Sequence, residues 1–170
     1  LGIYIERGGK SEQKIESDDK LHDNRRMDWR EKVLRLYTSK ESTIFKKLVV
    51  HVTYTKSLTK VTAKNEAKIY AIQELLLDDI TFNSVDFSKL YLNVNAKKFS
   101  LIADDKSKSE INLKADEASL QLSKNSSIKS LVSSIKFKCD LYQKSSAALE
   151  GIAEKATIRL DNNSSFTGTK

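Results

Sequence analysis

Apolar and polar residues alternate along most of this chain, and the alternation itself recurs. Three segments stack directly: LQLSKNSSI from Leu120, CDLYQKSSA from Cys139 and IRLDNNSSF from Ile158, each starting 19 residues after the last. With the first serine of each pair as an anchor (Ser126, Ser145, Ser164), steps of 19 lead back to Ser107 and Ser88, and one step with two extra residues reaches Ala67. Six residues before the anchor stand Val61, Phe82, Leu101, Leu120, Cys139 and Ile158. Eight before it stand Thr59, Ile80, Phe99, Ala118, Phe137 and Ala156, and four before it Ala63, Ser84, Ala103, Leu122, Leu141 and Leu160. Further apolar positions recur two and four after it, as in Leu90 and Leu92.

A period of two within each unit is strand periodicity. The residues just ahead of each anchor are polar, and Asn and Asp there suit a tight turn because they tolerate left-handed backbone. A unit this short cannot bury its apolar face alone, so neighbouring units must stack. Strands of successive coils then pair in parallel, about 4.8 Å apart. Parallel crossovers are overwhelmingly right-handed. The pattern therefore predicts an all-β chain: a right-handed parallel β-helix of about 19 residues per coil over 59–170. A left-handed triangular helix needs a hexapeptide rhythm, which is not found. Phe99, Leu101, Leu120, Leu122, Phe137, Cys139, Leu141, Ile158 and Leu160 are expected in the core. Ser88, Ser107, Ser126, Ser145 and Ser164 are expected to form a structural ladder of hydroxyls, one per coil.

Residues 1–58 read as an N-terminal cap. LGIYI at the start and LVVHVTY from Leu48 alternate as strands and are expected to pair antiparallel over the first coil. Between them lies a charged insertion, about 10–43. Its first half, SEQKIESDDKLHDNRR, reads as loop. Over 27–38, Trp29, Val33, Leu36 and Tyr37 have helical spacing, although KVLRLY fits a strand as well; a helix or helical turn lapping the solenoid is favoured.

Composition narrows the function classes. The chain has 170 residues, 39% hydrophobic and 31% charged, enough for one core without staples. No aliphatic run exceeds three residues, so no transmembrane helix is expected. One cysteine excludes an intramolecular disulfide and a multi-cysteine zinc site. The two histidines, His22 and His51, have no metal-ligand spacing, and no metal or cofactor is expected. The net charge of +7 is spread among alternating acids, which argues against specific nucleic-acid binding.

Candidate chemistry is sparse. Asp86 and Asp105 share a column two before the anchor on adjacent coils, with backbones about 5 Å apart. That approaches the carboxylate spacing of a retaining glycosidase, and a polysaccharide-active enzyme using the pair is one alternative. The other reading is two turn residues, with Lys124 next in the column to form a salt-linked ladder. Cys139 falls in an apolar column and reads as an inert buried thiol. Arg25, Arg26, Trp29, Arg30, Arg35 and Tyr37 form the one dense basic and aromatic cluster outside the repeat. They suit an acidic ligand, or an amphipathic segment lying over a core.

The stretches NEAKIYA at Asn65, VDFSKLYL at Val85, DDKSKSEINL at Asp104, SKNSSIKS at Ser123 and NNSSFTG at Asn162, with LGIYI and LVVHVTY, resemble the head GIN domain family, grouped as autotransporter adhesins of Bacteroidetes cell envelopes. The resemblance departs at the turns, which are glycine-rich in the family and carry Lys, Asn, Asp and Gln here. It implies a β-helix in an exported, often lipid-anchored envelope protein, in the periplasm, on the outer membrane or at the cell surface, with no catalytic residues. The chain, starting at Leu1, then reads as part of one larger domain. The function expected is a non-enzymatic module for adhesion, scaffolding or ligand display. Its expected partners are a glycan or another envelope or surface protein. The remaining alternative is a self-assembling solenoid that associates through its open C-terminal coil.

Overall fold

The computed structural model describes the backbone of 2–7, 12–17, 25–30, 33–38, 48–54 and 58–170, and the side chains of Tyr4, Tyr54 and, apart from Ile72, those from 58 onward. The described elements are twelve strands: β1 (Gly2–Arg7), β2 (Glu12–Ser17), β3 (Arg25–Arg30), β4 (Val33–Thr38), β5 (Leu48–Tyr54), β6 (Lys60–Ala63), β7 (Lys68–Ser84), β8 (Lys89–Ala103), β9 (Lys108–Leu122), β10 (Ser127–Leu141), β11 (Ser146–Leu160) and β12 (Ser165–Thr169). Strands β7 to β12 pair parallel, each with the next, and adjacent coils from β8 onward are in register at an offset of 19. The fold is a parallel β-solenoid.

Each long strand is a whole coil that bends. In β8, side chains alternate inward and outward to Ala96, Lys97 and Lys98 both face out, and burial resumes at Phe99. That slip turns a corner, and it recurs at the same point in β9 and β10. Beyond the corner, Ile80, Phe99, Ala118 and Phe137 form one inward column, in which the rings of Phe99 and Phe137 flank the small Ala118. The two extra residues of the first repeat step appear as a register shift between Ala71 and Leu75 against Leu92 and Val94. The insertion is absorbed as a bulge, and the columns on both sides keep their phase.

Coils are joined by turns closed by a bond from the anchor N–H to the carbonyl three residues back, as in Ser107 to Asp104 at 3.2 Å and Ser126 to Ser123 at 3.1 Å. The two central residues of these turns have positive φ: 46° and 58° at Asp105 and Lys106, 47° and 61° at Lys124 and Asn125. This is the type I′ geometry, here built without glycine.

The N-terminal region corrects several expectations. β1 and β5 pair parallel, Gly2 with Val49 through Arg7 with Tyr54, and not antiparallel. β1 also pairs parallel with β7, so it continues the solenoid. The excursion between β1 and β5 is long enough to serve as the crossover that parallel pairing requires. The antiparallel pairs are β2 with β5 and β3 with β4. The helix expected over 27–38 is instead the hairpin β3–β4, and β4 pairs with β6. The segment read as loop contains β2 and the start of β3. Backbone pairing to existing strands stabilises these short segments, whereas an isolated turn of helix would have none.

The inward columns bury as expected, with Phe99, Leu101, Leu120, Leu122, Phe137, Cys139 and Leu141 all in the core. The last coil differs. Ile158 is only half-buried and Leu160 is 49% exposed. In this chain β12 pairs only with Ser146–Glu150 of β11, so the second half of β11 has a neighbour on one side alone.

Candidate functional site

The turn face carries the serine ladder. Ser88, Ser107, Ser126 and Ser145 are buried at the inner side of their turns, and Ser164 is half-buried. Their backbones connect successive coils: Lys108 N–H donates to Ser88 O at 2.9 Å, Ser127 N–H to Ser107 O at 3.0 Å and Ser146 N–H to Ser126 O at 3.0 Å. Three hydroxyls donate to a carbonyl of the preceding coil, Ser88 to Ala63 at 3.2 Å, Ser126 to Ala103 at 3.1 Å and Ser145 to Leu122 at 3.1 Å. A hydroxyl engaged in this way holds the turn to the coil below and is screened from solvent, which makes it a poor nucleophile.

Asp86 and Asp105 occupy the same turn position on adjacent coils. Their carbonyls take up the turn ladder, Glu66 N–H donating to Asp86 O at 2.9 Å and Phe87 N–H to Asp105 O at 3.0 Å. The lysine next in their column does not pair with either. Lys124 Nζ donates to Asp104 Oδ2 at 2.9 Å, and Ser123 Oγ donates to Asp104 Oδ1 at 3.1 Å. Asp104 precedes the two left-handed residues of its turn, which aims its side chain at the next coil. Burial pushes the Asp104 carboxyl up, but the hydrogen bonds from Lys124, the Asp105 N–H and Ser123 outweigh it and hold the group below its ordinary value.

Cys139 is fully buried between Leu120 and Ile158 of the neighbouring coils. Burial, reinforced by adjacent Asp140, pushes its thiol up to about 12. The basic and aromatic cluster falls on β3 and β4. Register pairs Arg26 with Tyr37, Asp28 with Arg35 and Trp29 with Leu34, so Arg25 and Trp29 sit at the opposite parity from Arg26, Arg30, Arg35 and Tyr37. The six do not share one set of positions, and their side chains lie outside those described. His51 lies on β5 between Tyr4 and Lys14, and His22 lies outside the described residues. Among the described residues, no cluster of three or more His, Cys, Asp or Glu could hold a metal ion.

Among the grooves on the outward faces of the described residues, two are roomy. One, of about 720 Å³, runs beyond the corner over Phe99, Ala118 and Phe137 and is bordered by Lys98, Lys155 and Arg159. Two of its other lysines are paired, Lys136 with Glu117 at 3.3 Å and Lys138 with Asp140 at 3.0 Å.

The other groove, of about 660 Å³, lies before the corner. It begins at a stack of tyrosines on successive coils. Tyr4, Tyr70 and Tyr91 are register partners, with ring centroids 5.0 Å apart at each step and interplanar angles of 17° and 9°. Burial, then the neighbouring phenols of Tyr91 and Tyr4, raise the Tyr70 hydroxyl above its ordinary value. The stack stops at Tyr91, whose next register partners are Glu110, Lys129, Ala148 and Thr167. The adjoining outward column is Asn93, Asn112, Leu131 and Glu150. Sequence reasoning passed over these tyrosines. The signal was there: Tyr70 and Tyr91 both stand three residues after an anchor, in a polar column where an aromatic is out of place.

Two solved structures share the fold. A putative adhesin from Bacteroides fragilis NCTC 9343 aligns with a TM-score of 0.72 at 14% identity, over 98% of this chain and 87% of that one. A putative adhesin from Parabacteroides merdae ATCC 43184 aligns with a TM-score of 0.53 at 16% identity, over 99% of this chain and 88% of that one. Among curated proteins, none matches. The model of the family described as "Putative auto-transporter adhesin, head GIN domain" matches residues 1–130, which include the N-terminal strands and the coils as far as β10. The chain belongs to the head GIN domain family.

Proposed function

We propose that this chain is a non-enzymatic display module of the bacterial cell envelope, exported and acting in adhesion or as a scaffold. The observation that supports this reading is the outward surface of the solenoid. Successive coils repeat the same backbone every 19 residues, so outward side chains line up in straight columns along a rigid sheet. Such a surface aligns with an extended partner. Family membership and two structural neighbours described as putative adhesins point the same way. The partner is a glycan or another surface protein.

The test is attachment. Beads coated with the purified chain are expected to adhere to host-cell or bacterial surfaces above beads coated with the heat-unfolded chain. Equal retention of both would remove the reading. A parallel hydrolysis screen on polysaccharides, with Asp86→Asn and Asp105→Asn variants, addresses the enzymatic alternative. Turnover lost in both variants would favour it.

A second reading, self-association, is supported by one observation. Leu160 belongs to an inward column, yet it is 49% exposed beside half-buried Ile158. Strand edges with apolar neighbours are templates for pairing. Sedimentation of the 170-residue chain over a concentration series is expected to show dimers or larger species that Leu160→Lys reduces. A monomer throughout would dismiss this reading.

A further inference from the structure

We propose that the groove beside Tyr91 binds a neutral saccharide chain, with one sugar ring stacked on the face of Tyr91 opposite Tyr70; this rests on the display reading and names its ligand class. Tyr70 is covered on both faces, by Tyr4 and by Tyr91. Tyr91 stacks on Tyr70 at one face. At the other face its register neighbour is Glu110, which is exposed, has no ring and lines the same groove. A sugar ring seats on that face with the flexible Glu110 side chain turned to its rim. An aromatic face matches the C–H face of a pyranose, which is apolar while its rim is polar.

The groove supplies that rim with mixed hydrogen-bonding groups. Asn93 and Asn112 stand next to one another in register, and each amide offers both donors and an acceptor. Glu110 accepts and Lys129 donates. The floor is set before any ligand arrives: Leu92 and Ile111 are buried, and Ser130 Oγ donates to Ile111 O at 2.6 Å. A preformed floor avoids an ordering cost on binding.

The same features disfavour other occupants. A peptide adding a strand needs free backbone groups at a sheet edge, whereas Tyr91, Asn93, Glu110 and Asn112 stand on β8 and β9, each paired with a strand on both sides. A polyanion needs a field of one sign, and Lys129 stands beside Glu110 with Glu150 in the adjoining column. An amphipathic helix needs several apolar anchors, and Leu131, 51% exposed, is the one large apolar side chain of the groove that is exposed.

The experiment titrates the folded chain with an array of short neutral oligosaccharides of glucose, galactose, mannose and N-acetylglucosamine, and follows each hit by calorimetry. Tyr91→Ala is expected to weaken the hit about tenfold or more, while Tyr91→Phe, which keeps the ring, retains it. Asn112→Ala, at an exposed position, tests the groove without touching the tyrosine stack should Tyr91→Ala fold poorly. Lys155→Ala, in the other groove, is expected to bind as the parent does. A hit indifferent to both Tyr91→Ala and Asn112→Ala overturns the groove and leaves the display reading standing. No saccharide bound while coated beads still adhere overturns the ligand class alone. No saccharide bound and no adhesion overturns both.

Discussion

Lys124 Nζ reaches back one coil to Asp104 Oδ2 at 2.9 Å, tying two successive turns together across the sheet. The Asp104 carboxyl is held below its ordinary value, so the folded state binds its proton less readily than the unfolded chain does. Its contribution is present above the unfolded carboxylate value of about 4 and fades as pH falls through the lower folded value. Lys124 is shifted upward by the same contact, so its share persists below about 10.5 and is lost as pH rises through the folded value. The melting temperature of the parent is expected to exceed that of Asp104→Asn at neutral pH. The gap should narrow both below about pH 4 and above about pH 10.5. A gap independent of pH would show that the pair contributes no charge interaction.

Gly151 is expected to resist substitution. It has φ of 125° and faces Val132 in the register of β10 and β11. An added Cβ would fall on the carbonyl oxygen of Val132, which is backbone and cannot rotate away. Alanine usually gains about 0.4–1 kcal/mol by restricting the unfolded chain. Here strain of about 1–3 kcal/mol exceeds that gain. Gly151→Ala should therefore lower the denaturation midpoint, and an unchanged midpoint would show that the coil can shift to admit it.

The opposite sign is expected in the turns. Lys144 is exposed and has φ of 63°, a conformation that costs a non-glycine residue about 1–2 kcal/mol. Glycine costs about 0.5–1 kcal/mol in unfolded-state freedom. Lys144→Gly should therefore stabilise the chain by up to about 1 kcal/mol, read as a higher melting temperature. A loss of stability would mean that the lysine side chain contributes more than its backbone costs.

Cys139 is expected to be chemically silent in the native state. Its thiol is pushed up to about 12 and is fully buried, so almost no thiolate is present or reachable at about pH 8. Iodoacetamide should label it only after denaturant unfolds the coils, at the midpoint seen by circular dichroism. Rapid labelling without denaturant would place the thiol at the surface.

The sequence by itself determined what depends on nearest neighbours. Period two set the strand faces, period nineteen set the stacking, and the polar residues before each serine marked the turns. These signals are local and repeat in every coil, so errors in one unit are corrected by the next. Even the two-residue insertion was visible, and it appears as the shift between Ala71 and Leu75. The columns of Val94 and Ala96 were not read, because serine and glycine replace the apolar residue in some coils, as at Ser134 and Gly151. The tertiary structure alone decided the pairings without a repeating partner. The long excursion between β1 and β5 permits their parallel pairing, and no local pattern records the direction of return. Trp29, Val33, Leu36 and Tyr37 fit a helix and a strand alike, and the choice fell to β4 finding β6. Lys124 selected Asp104 over Asp105 because the turn's left-handed residues fix which carboxylate faces the next coil. The other end of the tyrosine stack is likewise tertiary: Tyr4 lies outside the repeat, and only the pairing of β1 with β7 sets it on Tyr70.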